Sequence, residues 1–358
     1  MTRLAERLKA EIAAEVPITA ADYMTRCLWD PRDGYYATRP AIGGDGDFIT
    51  APTVSQMFGE LLGLWAAQAW HELGRPPVRL AEIGPGDGSL MRDALRALSR
   101  VGGFAEAAEV VLVEPSAPLR ARQAEALAGA EVRWADGVEA LTPDRPTIVL
   151  ANEVLDCLPA RQFIRTDTGW AERRVGLDEA GALAFVAWPA PAGFAPPADA
   201  APGQIVEVSP AQEALAARLG ALVAEAGGAA LLIDYGRARP EPGDTLQALQ
   251  AHRRADPLAA PGDCDLTVWA DFPSVLAAAR GAGAAVAGPL PQGELLRRLG
   301  VEARAAALAR ANPDLAEVLA AQLRRLTAPD EMGELFKAVC LFQRGAPPPP
   351  GFVDVVLP

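Results

Sequence analysis

The residues best suited to chemistry lie in Ala81-Glu82-Ile83-Gly84-Pro85-Gly86-Asp87-Gly88, where an apolar strand meets a helix through a glycine-rich turn. Val78 to Ile83 reads as a buried parallel strand, and Leu90, Ala94, Leu95 and Leu98 recur at helical spacing. Gly84, Gly86 and Gly88 therefore sit at the elbow between them. Glycine there accepts positive φ and lets a ligand press against the backbone, while the first amides of the helix stay free to donate. The spacing GxGxG, with Glu82 two positions ahead of the first glycine, departs from the GxGxxG of dinucleotide sites. It points instead to S-adenosylmethionine, with Glu82 and the three glycines as cofactor-binding residues. A second apolar run, Val110-Val111-Leu112-Val113, ends at Glu114, where a carboxylate can accept both ribose hydroxyls of an adenosine. A plain glycine turn with an incidental surface glutamate is the bland alternative.

A second constellation follows the strand Ile148-Val149-Leu150-Ala151, in Asn152-Glu153-Val154-Leu155-Asp156-Cys157-Leu158-Pro159. In open α/β sheets the ligand crevice lies beyond such strand ends. Asn152 is therefore assigned to the cofactor, and Glu153 and Asp156 to catalysis. A helix cap at Asp156 and a solvated charge at Glu153 are the competing readings. Asp136, in Trp134-Ala135-Asp136-Gly137, suits either an adenine amino group or a turn with Gly137.

Such loops need a sheet to hold them. Strands are expected at 78–83, 110–114, 131–134, 147–151 and 229–234, with helices near 118–128 and 210–226 between them. This alternation predicts an α/β fold, a doubly wound parallel sheet of the Rossmann-like kind. Residues 1–77 read as a helical N-terminal cap and lid, with helices over 2–15, from Thr19, and from Ser55 to Leu73. Residues 78–345 form the core. It is interrupted by a β-rich insertion at about 160–205, whose turns fall at Asp167-Thr168-Gly169 and Asp178-Glu179-Ala180-Gly181, and by a substrate loop at about 237–271. The apolar run Phe336 to Phe342 suits a last strand inserted in the sheet, and 346–358 is a proline-rich tail.

Composition bounds the function. At 358 residues, 50% hydrophobic and 22% charged, the chain has ordinary globular values and can build a large core. A net charge of −13 disfavours nucleic acid and favours a basic acceptor. Cys27, Cys157, Cys264 and Cys340 form no CxxC pair, and His71 and His252 are the only histidines, so no metal site is expected. No apolar run approaches the ~18 residues that would insert in a membrane. Two lysines, Lys9 and Lys337, among 33 basic residues, and an N-terminus that reads as a surface helix rather than a targeting segment, lead to the expectation of a bacterial cytoplasmic protein. The stripe Phe58, Leu61, Leu62 and Trp65 suits either internal packing or a partner. A homodimer is an assembly the sequence admits.

Six segments together carry a resemblance. They are Gly46-Asp47-Phe48-Ile49-Thr50-Ala51-Pro52 with Ser55-Gln56-Met57-Phe58-Gly59-Glu60, Glu82-Ile83-Gly84-Pro85-Gly86, Asn152-Glu153-Val154-Leu155-Asp156, Ile233-Asp234-Tyr235-Gly236 and Gly243-Asp244-Thr245-Leu246. In this order, from about Gly34 to Phe342, the chain resembles the MidA family, that of mitochondrial complex I assembly factor 7 and its bacterial relatives. The resemblance implies a class I S-adenosylmethionine-dependent methyltransferase. Its mitochondrial members symmetrically dimethylate an arginine on the 49-kDa subunit of NADH:ubiquinone oxidoreductase. Asp87 stands where arginine is common in the family, and Thr53 where glutamate is common.

An arginine acceptor would set its own demands. Methyl transfer from a sulfonium needs mostly positioning and desolvation, but a guanidinium must also be gripped bidentately and lose a proton. Asp47, Glu153, Asp156 and Asp234 are the carboxylates available, with Asp47 expected in a loop over the cofactor or in a simple turn. Asp234, Tyr235 and Asp271 are expected to line the acceptor channel together with His252, which reads as a structural hydrogen-bonding residue rather than a base. Three functions follow: a methyltransferase of an arginine on a respiratory complex I subunit, a methyltransferase of a small molecule or another side chain, and a cofactor-binding assembly factor with little catalysis.

Overall fold

The computed structural model describes residues 2–38, 50–250 and 253–357. Its central sheet is built from β1 (Val78–Ile83), β2 (Ala108–Val113), β3 (Val132–Ala135), β4 (Thr147–Asn152), β5 (Gly228–Arg237), β6 (Ala285–Pro291), β7 (Phe336–Phe342) and the short β8 (Val356–Leu357). The strands lie in the order β8-β6-β7-β5-β4-β1-β2-β3. The five strands β1 to β5 are mutually parallel, and β7 runs antiparallel between β5 and β6. The chain leaves β1 toward β2 and β3, then returns to place β4 on the other side of β1. That reversal is the topological switch point, and a crevice opens beyond the carboxyl ends of β1 and β4.

Both faces of the sheet are apolar, as parallel strands require. Leu80, Leu112, Leu150 and Leu231 point to one face, and Ala81, Val111, Val149 and Leu232 to the other. On the first face lie α3 (Gln56–Glu72) and α4 (Ser89–Leu98). A Cβ on Gly59 would come 2.9 Å from the Leu90 carbonyl oxygen, and one on Gly63 2.8 Å from the Ala94 Cα. These two glycines let the helices touch backbone to backbone. Phe58, Leu61, Leu62 and Trp65 are all buried against the sheet, so the stripe seen in sequence is core. On the second face lie α6 (Pro210–Ala226) and α7 (Phe272–Gly281), while α5 (Ala117–Ala126), the crossover from β2 to β3, lies beside α4 on the first face and runs into Leu127 of that core.

The first 77 residues divide between two layers. While α3 belongs to the main core, α1 (Arg3–Ala14) and α2 (Ala20–Trp29) pack with the insertion into a separate cluster around Leu4, Tyr23, Leu28 and Val175. The insertion is an antiparallel meander of Arg161–Thr166, Gly169–Leu177 and Leu183–Pro189, and Ile18–Thr19 adds a further strand to Gly169–Leu177. Within 237–271 lies a small three-stranded sheet of Gln247–Gln250, Arg253–Ala255 and Asp265–Thr267. Beyond β6 follow α8 (Gln292–Arg298), α9 (Val301–Ala311) and α10 (Ala316–Thr327), which the sequence reading did not anticipate. Among the described residues, no helix is long and apolar enough to cross a membrane.

Candidate active site

The turn after β1 has Gly84, Gly86 and Gly88 at φ +62°, +54° and +84°, all in the left-handed region that favours glycine. A Cβ on Gly84 would also come within 2.7 Å of Val154 Cγ2, so the glycine turn and the loop after β4 pack closely. Gly88 lies behind, against Gln123. Asp87 Oδ1 accepts the Ser89 N–H at 2.9 Å and opens α4.

Glu114 is buried at the tip of β2. Its Oε1 accepts the Ser116 N–H at 2.8 Å, and its Oε2 accepts from Gln123 Nε2 at 3.3 Å. Burial raises its pKa, against the opposing pull of those donors and of Arg120. Gln123 also donates to the Gly86 carbonyl at 2.8 Å and accepts from Trp134 Nε1 at 2.9 Å. One fully buried glutamine thus ties the glycine turn to the β2 tip and to β3. Sequence reasoning passed over it. Its signal was a polar residue four positions after Leu119 on the inward stripe of a helix.

Between these elements lies a cavity of about 390 Å³. Gly84, Gly86 and Glu114 form its floor, Val138 and Leu119 an apolar slot, and Leu215 of α6 with Trp29 and Tyr36 of the N-terminal layer its cover. Tyr36 is held in place by its hydroxyl, which donates to Asp265 at 2.7 Å, and by its carbonyl, which accepts from Ser116 Oγ at 2.8 Å. The cavity fits an adenosine-bearing cofactor. It pairs an apolar slot for the base with a carboxylate that retains free lone pairs for hydroxyls. Asp136 is not part of this wall: its side chain is 91% exposed and pairs with Arg120 at 2.5 Å, while Gly137, Val138 and Glu139 line the cavity.

The loop after β4 closes the reactive end. Glu153 has φ +54°, an uncommon conformation for a side-chain-bearing residue. Its Oε1 accepts the Ala51 N–H at 3.1 Å and Asn152 Nδ2 at 2.9 Å. Burial, assisted by the Asp156 charge, pushes its carboxyl up to about 7. Asp234 lies beneath, fully buried, accepting the N–H groups of Leu155 at 2.8 Å, Asp156 at 3.2 Å and Tyr235 at 2.8 Å. Its carboxylate therefore pins the loop and does not face an open channel. Asp156 accepts the Tyr235 hydroxyl at 2.6 Å, and burial raises it to about 6. Asp271 is the N-cap of α7, accepting the Ser274 N–H at 3.3 Å. The structure thus brings Glu82, Gly84, Gly86, Asn152 and Glu153 together, and sets Asp156, Asp234 and Tyr235 just behind them. Asp47 and His252 lie outside the described residues.

A smaller cavity of about 40 Å³ separates the glycine turn from the β4 loop. Glu82 and Asn152 line it, both more than nine-tenths buried, and Glu82 Oε2 and Asn152 Oδ1 have no hydrogen-bond partner among the described residues. Burial, then the nearby Asp87 charge, pushes Glu82 up to about 8. Pro52 and Asp87 line this small cavity and also an outer cleft of about 610 Å³ reaching α9 and α10. Thr53, also at that cleft, turns its hydroxyl to the Thr50 carbonyl at 2.8 Å.

Residues 61–290 match a family described as "Putative S-adenosyl-L-methionine-dependent methyltransferase". The chain is 34% identical to the mitochondrial protein arginine methyltransferase NDUFAF7 of Danio rerio, across 93% of this chain and 85% of the relative. It is likewise 34% identical to that of Mus musculus, across 94% and 83%. A Burkholderia thailandensis protein solved bound to S-adenosyl-homocysteine superposes with a TM-score of 0.87 at 33% identity, covering 99% of this chain and 95% of that one.

Proposed function

The chain belongs to the MidA family of S-adenosyl-L-methionine-dependent methyltransferases, and on that premise we propose that it methylates an arginine of a protein, a 49-kDa-type subunit of bacterial NADH:quinone oxidoreductase before assembly. The observation that carries this reading is the group of carboxyls around the glycine turn and the β4 loop, Glu82 and Glu153 at the small cavity and Asp156 just behind them, whose hydrogen bonds come from amides, an asparagine and a tyrosine rather than from arginine or lysine. A cation seated there would favour the ionised form of these carboxyls and so create its own counter-charge, whereas an anion would raise them further and gain none. The family's mitochondrial relatives are named as protein arginine methyltransferases, which supports the same acceptor. A cytoplasmic location in a bacterium is part of this proposal.

When bound, the cofactor supplies an electrophilic methyl group on a sulfonium. Glu114 would hold the ribose, and the Gly84–Gly86 turn would receive the amino-acid end against bare backbone. Glu153, held at about 7 by burial, suits the proton that a guanidinium must release, because a base works best with a pKa near the working pH. Trp29 and Tyr36 line the cavity and give it aromatic surface beside the cofactor.

The test is direct. The full chain, methyl-labelled S-adenosylmethionine and the isolated 49-kDa-type subunit should yield dimethylarginine at one site, read by mass spectrometry of the digested subunit. An unlabelled subunit, whether because label passes instead to a small molecule when cell extract is added or because the subunit binds tightly with no methyl moved, would overturn the proposal.

A further inference from the structure

We infer that the outer cleft between α4 and the α9–α10 pair docks a segment of the acceptor protein that carries carboxylates on one side and apolar side chains on the other, apart from the arginine that receives the methyl group. The inference rests on the protein-acceptor reading above and adds a point of contact outside the cofactor site.

The two walls of the cleft differ in character. Among the charged residues that line it, Asp93 is buried and Asp87 is half-buried with one oxygen on the Ser89 amide, whereas Arg92 and Arg96 of α4 keep 47% and 42% of their side chains exposed. The charge turned to solvent is therefore mainly cationic, on a chain whose 46 acidic residues outnumber its 33 basic ones. The facing wall is lined, among the described residues, by uncharged side chains, and its Leu315 and Val318 are 50% and 52% exposed. Large apolar residues exposed together beside a polar rim mark interaction surfaces.

The cleft is also preformed. Glu60 of α3 takes Arg96 of α4 at 3.1 Å and Arg304 of α9 at 2.7 Å, so one carboxylate ties both walls together. Asp93 holds Arg92 and Arg96 at 3.0 Å each, which fixes the cations before a partner arrives and lowers the ordering cost of binding. An arginine fork matches a carboxylate in geometry as well as charge. A volume of about 610 Å³ suits a short length of polypeptide. Pro52 and Asp87 line both this cleft and the small cavity beside the glycine turn, so a segment docked here runs alongside the bound cofactor without entering its seat. The chain's negative field draws an arginine-bearing partner while the cleft takes that partner's acidic stretch, and such alternation of sign fixes the orientation of docking.

The test measures calorimetric binding of the isolated 49-kDa-type subunit to the full chain loaded with S-adenosyl-homocysteine, at low and high salt. Val318→Asp, at a position already exposed, should weaken the subunit about tenfold or more, as loss of an apolar anchor does. Arg92→Gln, which leaves Asp93 paired with Arg96, should weaken it about threefold and flatten the salt dependence. Both variants should bind S-adenosyl-homocysteine within about twofold of wild type, since neither residue lines the cofactor cavities. In methyl transfer both should raise KM for the subunit and leave kcat unchanged, the mark of binding shared by ground and transition states. Subunit binding that both variants leave unchanged, or no binding to the wild-type chain, overturns the inference. Loss at Val318→Asp with an unchanged salt dependence in Arg92→Gln overturns the acidic chemistry of the segment, and a shift in the chain's own oligomeric state with subunit binding intact gives the cleft to a second copy. Dimethylarginine formed with an unaltered KM in both variants removes the docking site and leaves the arginine reading standing. Cleft-dependent binding with no methyl moved does the reverse.

Discussion

Glu60, Glu172 and Glu207 are buried on scaffold elements, and each is met by arginine. Glu60 on α3 pairs with Arg304 at 2.7 Å and Arg96 at 3.1 Å, Glu172 with Arg161 and Arg174 at 2.7 Å each, and Glu207 with Arg237 at 2.6 Å. Around the crevice, Glu82 and Asp156 are buried and Glu153 is half-buried, and they contact amides, an asparagine and a tyrosine. The consequence is visible at single residues. Burial would raise Glu60, yet Arg304 and Arg96 bring it below the ordinary carboxylate range. Glu82, with no such partner, rises to about 8. The same kind of side chain, nearly inaccessible in both places though deeper at Glu82, is thus a structural anchor in one region and a poised acid in the other. The difference is whether the protein supplies the counter-charge or leaves it to a ligand.

The comparison can be broken most severely on the scaffold side. Arg237→Ala should destabilise the chain by about 3–5 kcal/mol, because it strands the Glu207 carboxylate in a buried site. Urea unfolding showing a loss below ~1 kcal/mol would mean that Gln162 and Thr245, which also donate to Glu207, satisfy it alone.

On the crevice side the sign is opposite. Glu82 keeps its proton in the folded chain up to about 8 and releases it from the unfolded chain near the ordinary glutamate value of 4.5. The folded state therefore binds more protons between those values, and stability falls as pH rises through that window. Glu82→Gln should remove this contribution. It should gain a few kcal/mol over wild type at about pH 8.5, and the difference should vanish near pH 4. Urea midpoints that run parallel at all pH values would contradict a buried, unpaired Glu82.

Glu114→Ala should weaken S-adenosylmethionine by about 1–3 kcal/mol, the loss of charge-assisted hydrogen bonds; unchanged calorimetric affinity in a folded variant would remove Glu114 from the ribose site. The smallest effect is expected at Asp136, which is exposed and, among the described residues, paired with Arg120. Asp136→Ala should change cofactor affinity by less than ~0.5 kcal/mol, and a larger loss by the same measurement would bring it back to the adenine.

By itself the sequence determined the elements whose signals are local. Three glycines at an elbow, apolar runs of strand length and helical recurrence at Leu90 to Leu98 depend on near neighbours, so β1, β2, β4, α4 and the two strand-end loops were legible, as was the meander marked by its turn residues. Packing alone decided the rest. The antiparallel place of β7 between β5 and β6 depends on pairing with segments about a hundred and about fifty residues away. Asp234 reads in sequence as a channel residue, and only the fold turns its oxygens onto the amides of Leu155, Asp156 and Tyr235. Asp271 became a cap and Asp136 a surface charge for the same reason. Gln123 carried no distinctive spacing, yet its amide bridges three elements once α5 lies against the glycine turn. A carboxylate's type is written in the chain, but its partner, and with it its charge and its role, is set by which distant segment folds against it.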